Sequence, residues 1–171
     1  MLRTVLATAA VIPLLMGCTV FAQAEDLNNM SPQQLSLIDT TCNTVMGLHH
    51  RDAYFLACED SLSHSMARRD AAFRMVQGED ACDRQGLKPG SAALASCMLD
   101  SEQAGASAPV PQPVAFTGAG TEAGKSYYDV TNGVKFQRER YSCAQLGLMP
   151  NSGLFGQCVA SLEGALLPDP N

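Results

Sequence analysis

The feature that most constrains the fold of this chain is a repeated segment that begins and ends with cysteine. Residues 82–97 and 143–158 align without a gap, and six of their sixteen positions are identical: Cys, Gly, Leu, Pro, Ser and Cys. A more diverged copy lies upstream at 42–58, with one extra residue before its glycine and His50 in place of the proline. Because chance hardly produces three copies in this order, any fold must accommodate an internal repeat.

Each identical residue type suits one position of a helical hairpin. A glycine fits the left-handed residue that ends a helix, a following proline keeps the helix from resuming, and Ser or Asp fits the N-cap of the next helix. These positions are Gly47, Gly86 and Gly147, then Pro89 and Pro150, then Asp52, Ser91 and Ser152. The repeat therefore predicts an all-α fold with three helical hairpins, which we number one, two and three in chain order.

The two cysteines of each copy are expected at similar heights on the two helices of a hairpin. In the two clearer copies the first cysteine precedes the glycine by four residues, and the second follows the cap by six. Six helical residues rise about 9 Å, and a disulfide requires Cα atoms roughly 4.4–6.8 Å apart. We therefore predict the local pairs Cys42–Cys58, Cys82–Cys97 and Cys143–Cys158. Each closes a loop of about 15 residues, which is worth about 3 kcal/mol in the chain-entropy model.

Composition agrees with several small cores that need cross-links. Aromatic residues make up 6% of the chain and Trp is absent, and small cores bury too little apolar surface to offset chain entropy easily. The formal charge of −6 and the lack of a basic run, apart from the pair Arg68–Arg69, argue against a surface for nucleic acid.

The N-terminal segment, residues 1–24, has the pattern of an export signal. A long apolar stretch is followed by Ala-Gln-Ala at 22–24, so that the mature chain would begin at Glu25. Alternatively, Leu-Met-Gly-Cys at 15–18 is a lipobox, Cys18 is lipidated, and the protein is an outer-membrane lipoprotein. Either outcome leaves six cysteines, and an even number in an exported chain is typical of disulfides. We expect a periplasmic or secreted protein, attached to a membrane only if Cys18 is lipidated.

The hairpins are expected to be distributed unevenly along the mature chain. Helices are expected at about 32–46, from 53 into hairpin two, and at about 92–103, 132–146 and 153–166. A continuous second helix would join hairpins one and two into one packed unit, residues 25–103. Residues 104–126 are rich in Ala, Gly and Pro and predict a flexible, disordered linker.

Hairpin three, residues 127–171, would then be tethered by this linker. Phe116, Tyr127 and Tyr128 flank the linker and could either dock hairpin three on the other two or anchor a partner protein. We prefer the docking interpretation.

The sequence lacks the usual signatures of a cofactor site or an active site. Residues 118–126 are similar to a phosphate-binding loop, but Ala119 stands where that loop requires glycine. The chain contains no C-x-x-C, no cysteine pair at zinc-site spacing and no G-x-S-x-G. We therefore expect no cofactor and no enzymatic activity.

Two adjacent histidines are the only weak candidates for a metal site. His49 and His50 lie in the first turn, and with Met46 and Met66 they could form a soft copper site. His64 follows His50 by 14 residues, which is about 21 Å of helix and too far for one site. Solvent-facing histidines and core methionines are the interpretation that we prefer.

The pattern C-x3-G-L-x-P-x-S-x-x-L/F-x-x-C resembles an element of small exported proteobacterial proteins, most of them uncharacterised. The segment from Ser126 through Glu139 to Cys143 is similar to the residues that precede this element. The resemblance covers the two later hairpins and implies an exported helical protein, without implying an activity or site residues.

Together these features favour a non-enzymatic exported protein that acts as a structural or protein-interaction module through the faces of its hairpins. Another envelope protein is the expected kind of partner. The alternative is a small periplasmic protein that handles copper or zinc through His49, His50 and the methionines.

Overall fold

The computed structural model describes residues 30–103, 108–112, 122 and 124–167, and within these the chain is helical and has no strand. Its α-helices are α1 (Pro32–Thr40), α2 (Ala53–Asp83), α3 (Ala92–Gln103), α4 (Asn132–Gln145) and α5 (Gly153–Ala165). A π-helical turn, Thr41–Val45, continues α1, and a 3-10 turn, Tyr127–Asp129, precedes α4. The predicted all-α class is confirmed. The predicted export signal, Cys18 and Phe116 lie outside the described residues.

The starts of α1, α3 and α5 have side-chain caps, whereas those of α2 and α4 have none. Ser31 forms a reciprocal capping box with the glutamine three residues further on. Ser91 and Ser152 each accept a hydrogen bond from the backbone N–H three residues further on. Asp52, the expected cap of α2, makes no such bond to its own helix. Its carboxylate instead accepts a hydrogen bond from the backbone N–H of His49 and so closes the turn before the helix.

The cysteines form the local pairs expected from the repeat. Cys42–Cys58, Cys82–Cys97 and Cys143–Cys158 are bonded, with a Cα–Cα distance of 6.0 Å in each pair. Each disulfide joins the two arms of a hairpin whose bend contains a glycine with positive φ, namely Gly47, Gly86 or Gly147.

Hairpins one and three share a single hydrophobic core. Its largest members include Ile38, Met46, Leu48, Phe55, Leu62, Met66, Leu146, Phe155, Leu162 and Leu166. The first half of α2 packs against α5 and so joins the two hairpins. Among the described residues, none of this core comes from hairpin two.

The repeat alone does not predict a core shared by hairpins one and three, and the expected unit of hairpins one and two stays a prediction. The long α2 does run through both hairpins, as predicted. Hairpin two, however, has Leu94 and Ser101 where hairpin three has Phe155 and Leu162 at the aligned positions. Leu94 and Ser101 are only partly buried, whereas Phe155 and Leu162 are buried. Hairpin two therefore lacks the apolar surface to pack as the other two do, and the boundaries at 103 and 126 stay predictions.

The described parts of the predicted linker, 108–112, 122 and 124–126, contact the hairpins. Ala108 is buried, and the carbonyl groups of Pro109 and Lys125 accept hydrogen bonds from arginines of the hairpins. Separately, no described helix has the length and apolar character that crossing a bilayer requires.

Candidate functional site

Arg138 on α4 is a buried arginine that connects hairpin three to the bend of hairpin one. Its side chain is 2% exposed. Nη1 donates to the carbonyl oxygens of Met46 and Lys125, both at 3.0 Å, and Nη2 donates to that of Glu122 at 2.8 Å. Burial lowers the pKa of the Arg138 guanidinium from its usual value. The three carbonyl groups compensate in part for the water that this cation has lost.

Arg69 on α2 makes the reciprocal connection, because it reaches the bend of hairpin three. Its Nη1 donates to the carbonyl of Leu146 at 2.7 Å, and its Nη2 donates to that of Pro109 at 3.1 Å. Asp70 holds the guanidinium in an ion pair of 2.6 Å and accepts a hydrogen bond from Gln34 on α1, also at 2.6 Å.

The two arginines form a reciprocal clasp across the shared core. Each donates to the carbonyl group just before the bend glycine of the opposite hairpin, Gly47 for Arg138 and Gly147 for Arg69. Such carbonyl groups at a helix C-terminus have no intrahelical partner, so an arginine that reaches them satisfies an otherwise unpaired acceptor. The clasp fixes the position of hairpin three and of the surface that it exposes.

That surface contains a groove of about 450 Å³ at the bend end of hairpin three, between α4 and α5. Its walls include Phe136, Arg140, Phe155, Gly156, Val159 and Glu163. A Cβ atom built on Gly153 or Gly156 would meet no atom within 4 Å, so these glycines leave the groove open to solvent. We define this feature as the hairpin-three groove.

Arg140 is the cation of the hairpin-three groove. Its guanidinium carbon lies 5.1 Å from the ring centroid of Phe155 and 5.6 Å from that of Phe136, which is cation–π geometry. Phe155 is buried in the core, but Phe136 is 49% exposed. Within the described part of the chain, Arg140 makes no hydrogen bond or ion pair. The groove thus presents an apolar floor, one exposed ring and a guanidinium with free donors.

A buried acid–phenol pair joins α4, the helix of Arg140, to the 3-10 turn that precedes it. The hydroxyl of Tyr127 donates a hydrogen bond to Glu139, and both side chains are buried. Burial, helped by the negative charge of Glu163, raises the pKa of Glu139, while the Tyr127 hydrogen bond and Lys135 oppose this shift. Burial also raises the pKa of Tyr127 far above its usual value. Burial therefore keeps the Tyr127 phenol neutral and destabilises the negative charge of the Glu139 carboxylate.

The raised pKa of Glu139 predicts a dependence of stability on pH. Because the pKa of Glu139 is higher in the folded than in the unfolded state, protonation favours folding. This contribution to stability is fully present below the unfolded pKa near 4.5 and is lost as pH rises through the folded pKa. In the wild type, the free energy of unfolding should fall as the pH rises from 4.5 to 8. Glu139→Gln should reduce this fall and make the protein more stable than the wild type at pH 8, as measured by urea unfolding. The exposed Glu79→Gln is the control and should retain the decline. A decline that persists unchanged in Glu139→Gln would contradict this assignment.

The predicted metal candidates are not brought together. His49 is exposed, and the Nδ1 of His50 lies 3.4 Å from a carboxylate oxygen of Asp39. Met46 and Met66 are fully buried in the core. No three His, Cys, Asp or Glu side chains converge on one point in the described ranges. No observation therefore favours the metal-handling alternative.

Tyr127 and Tyr128 pack as the docking interpretation expects. Tyr127 belongs to the shared core, and the ring of Tyr128 lies 4.8 Å from that of Tyr54 on α2. The hydroxyl of Tyr128 donates to the carbonyl of Leu166 at 3.2 Å. The two tyrosines thus join hairpin three to hairpin one.

Sequence reasoning missed the residues that build this site. In the sequence Arg69 stands out only as half of a basic pair, and Arg138 only as part of the segment before Cys143. An available signal was the position of Arg138, five residues before Cys143 and aligned with the buried Leu37 of hairpin one. Phe136 and Arg140 are spaced four residues apart on α4, which places both on one face of the helix.

Comparisons with known proteins found no matching family model and no significant match among curated proteins or solved structures. The fold itself defines the chain as a disulfide-clasped helical-hairpin protein. Its resemblance to small exported proteobacterial proteins stays a prediction.

Proposed function

We propose that this protein is a non-enzymatic module that binds another protein outside the cytoplasm, with the hairpin-three groove as its contact surface. The observation that carries the proposal is the half-exposed ring of Phe136 beside the hydrogen-bond donors of Arg140. Aromatic residues and arginine contribute most of the binding energy at protein interfaces. A partner segment would place an apolar side chain against the rings and a carboxylate or carbonyl oxygen against the guanidinium.

The rigidity of its surroundings supports a role for this groove in binding. The disulfide Cys143–Cys158 joins the two helices that form its walls, and Arg138 anchors α4 from the opposite side. A surface that is already ordered loses less conformational freedom when a partner binds. The groove therefore has the preorganisation that an interaction module needs.

The disulfides support the proposed location. Three disulfides within the described residues are typical of a protein that matures in an oxidising compartment, such as the periplasm or the exterior of the cell. An export signal at residues 1–24 would deliver the chain there. In the alternative outcome, cleavage before Cys18 and lipidation of that residue would tether the chain to the outer membrane, where an envelope protein would be the partner.

Site-specific photo-cross-linking in intact cells tests the proposal. A photoreactive amino acid in place of Ala160, an exposed residue that lines the groove, should yield a discrete cross-linked protein. Arg140→Gln and Phe136→Ser should each reduce the yield about tenfold, as the loss of a contact worth about 1.4 kcal/mol does. Both side chains are exposed, so the unfolding midpoint should stay close to that of the wild type.

The matched control is Ala95, an exposed alanine on α3 that is remote from the groove. A photoreactive residue there should give no such product. Equal products from both positions, or a product that ignores Arg140→Gln, would contradict the proposal.

A further inference from the structure

The disulfide of hairpin two is the least protected of the three. Cys42, Cys58, Cys143 and Cys158 are at most 1% exposed, and Cys82 is equally buried. Among the cysteines that the structure describes, Cys97 alone is partly exposed to solvent. The Nε2 of Gln85, an exposed side chain, lies 3.6 Å from the Cys97 sulfur and is its polar neighbour. Thiol–disulfide exchange depends on access to a sulfur atom, and Cys97 is the most accessible of the described cysteines.

Hairpin two also has little else to hold it closed. Among the described side chains of α3 none is buried. Gly78 allows Ser101 to approach the backbone of α2 closely, and a Cβ at Gly78 would overlap the Ser101 hydroxyl. Twelve residues are near the lower limit for a helix that is stable alone in water. α3 thus packs along α2 without burying a described side chain of its own, and the disulfide is the covalent tie between the two helices.

The bend of hairpin two lacks the arginine clasp of the other bends. A Cβ built on Gly86 would meet nothing within 4 Å, whereas one on Gly47 or Gly147 would meet a clasping arginine at 3.1 or 3.3 Å. Opening hairpin two would therefore break none of the contacts that join hairpins one and three.

We propose that Cys82–Cys97 is a thiol–disulfide exchange site, at which a dithiol oxidoreductase opens and closes hairpin two while hairpins one and three stay folded. A thiolate of the reductant attacks the sulfur of Cys97. The Cys82–Cys97 bond breaks, and Cys82 leaves as a thiolate that takes a proton from water. In the mixed disulfide, the second thiol of the reductant then attacks the reductant sulfur that is bonded to Cys97, and Cys97 is released as a thiol. Two electrons pass from the dithiol, which becomes a disulfide, to the hairpin.

This site is separate from the hairpin-three groove. The proposal does not depend on what the groove binds, and each can fail without the other.

The first test is partial reduction of the full folded chain with dithiothreitol, followed by alkylation and peptide mass spectrometry. Cys82 and Cys97 should be alkylated at least about a hundredfold faster than the four buried cysteines, because those react only when the shared core opens. Similar rates at all six cysteines would overturn the proposal. The double variant Cys82→Ser/Cys97→Ser should lose the fast phase and keep the unfolding midpoint of the shared core.

Amide hydrogen exchange on the partially reduced protein tests the conformational half of the proposal. Residues 92–101 should lose protection, while α1, α4 and α5 should keep it. Protection of α3 that survives reduction would overturn the opening step.

Trapping identifies the attacked sulfur. A thioredoxin variant with one active-site cysteine should form a mixed disulfide with Cys97, located by peptide mapping. An adduct mainly at Cys82 or at a cysteine of hairpins one and three would overturn the assignment.

Discussion

Arg138→Met should lower the free energy of unfolding by about 2 kcal/mol, because two carbonyl groups that are now paired would lose their donor. A buried acceptor left without a partner costs about 1 kcal/mol or more. The carbonyl groups of Met46 and Lys125 depend on this one side chain, whereas that of Glu122 also accepts a hydrogen bond from the backbone N–H of Lys125. Methionine retains much of the apolar volume, so the loss measures hydrogen bonding more than packing.

Arg138→Met also removes the desolvation cost of a buried cation, which should reduce the loss of stability but not cancel it. The lowered pKa of Arg138 shows that the cation is held at a desolvation cost, which the methionine variant would no longer carry. The carbonyl groups belong to the backbone, however, and the substitution cannot remove them. The unpaired acceptors should therefore determine the sign of the change.

Urea unfolding at neutral pH provides the measurement, and a neighbouring arginine provides the control. Arg140→Met changes an exposed side chain on the same helix and should cost less than about 0.5 kcal/mol. Arg138→Lys should fall between wild type and Arg138→Met, because one ammonium group cannot match the planar fork of a guanidinium. An Arg138→Met variant as stable as Arg140→Met would contradict the role of the clasp.

The hairpins were predictable from the sequence because each is specified locally. Gly147, Pro150 and Ser152 end one helix and start the next within six residues, and the cysteines that join the arms are only 15 residues apart. The bounds of α4 and α5 consequently agree with the expected ones to within a residue. Local chemistry of this kind is visible in a single sequence.

The packing of hairpin three on hairpin one was not predictable in the same way. Arg69 and Leu146 are 77 residues apart, and Arg138 and Met46 are 92 apart. No periodicity or cap marks an arginine that satisfies a carbonyl group at such a distance. The sequence did contain a clue in the polar residues of hairpin two, since Ser101 stands where hairpin three has Leu162.

The groove was hidden for a different reason. Phe136 fits a helical stripe, and stripes of aromatic residues usually face a core. Only the structure shows that Phe136 is half-exposed and that Arg140 stacks on it. Whether an apolar residue belongs to the core or to a binding surface depends on which other elements cover it, and that is a property of the tertiary fold.

Gly47→Ala should be the most damaging single-methyl change in the chain, with a cost of about 3 kcal/mol. Gly47 has φ +68°, where an L-residue is strained by about 1–2 kcal/mol. The added Cβ would also overlap the Lys125 carbonyl and come within 3.1 Å of Arg138 Nη1. Since Lys125 is itself a partner of Arg138, relieving the overlap would pull the Lys125 carbonyl away from the clasp.

Gly86→Ala is the matched control, because it shares the backbone conformation but lacks the neighbours. Its φ is +74°, and no atom lies within 4 Å of the position of the new Cβ. The substitution should therefore cost only the backbone strain, about 1 kcal/mol, and should act mainly on amide exchange in hairpin two. Urea unfolding of the two variants separates strain from overlap. Gly47→Ala should lower the free energy of unfolding by about 2 kcal/mol more than Gly86→Ala, and this difference measures the overlap with the Lys125 carbonyl that Arg138 binds. Equal losses in the two variants would mean that this contact does not help to hold hairpins one and three together.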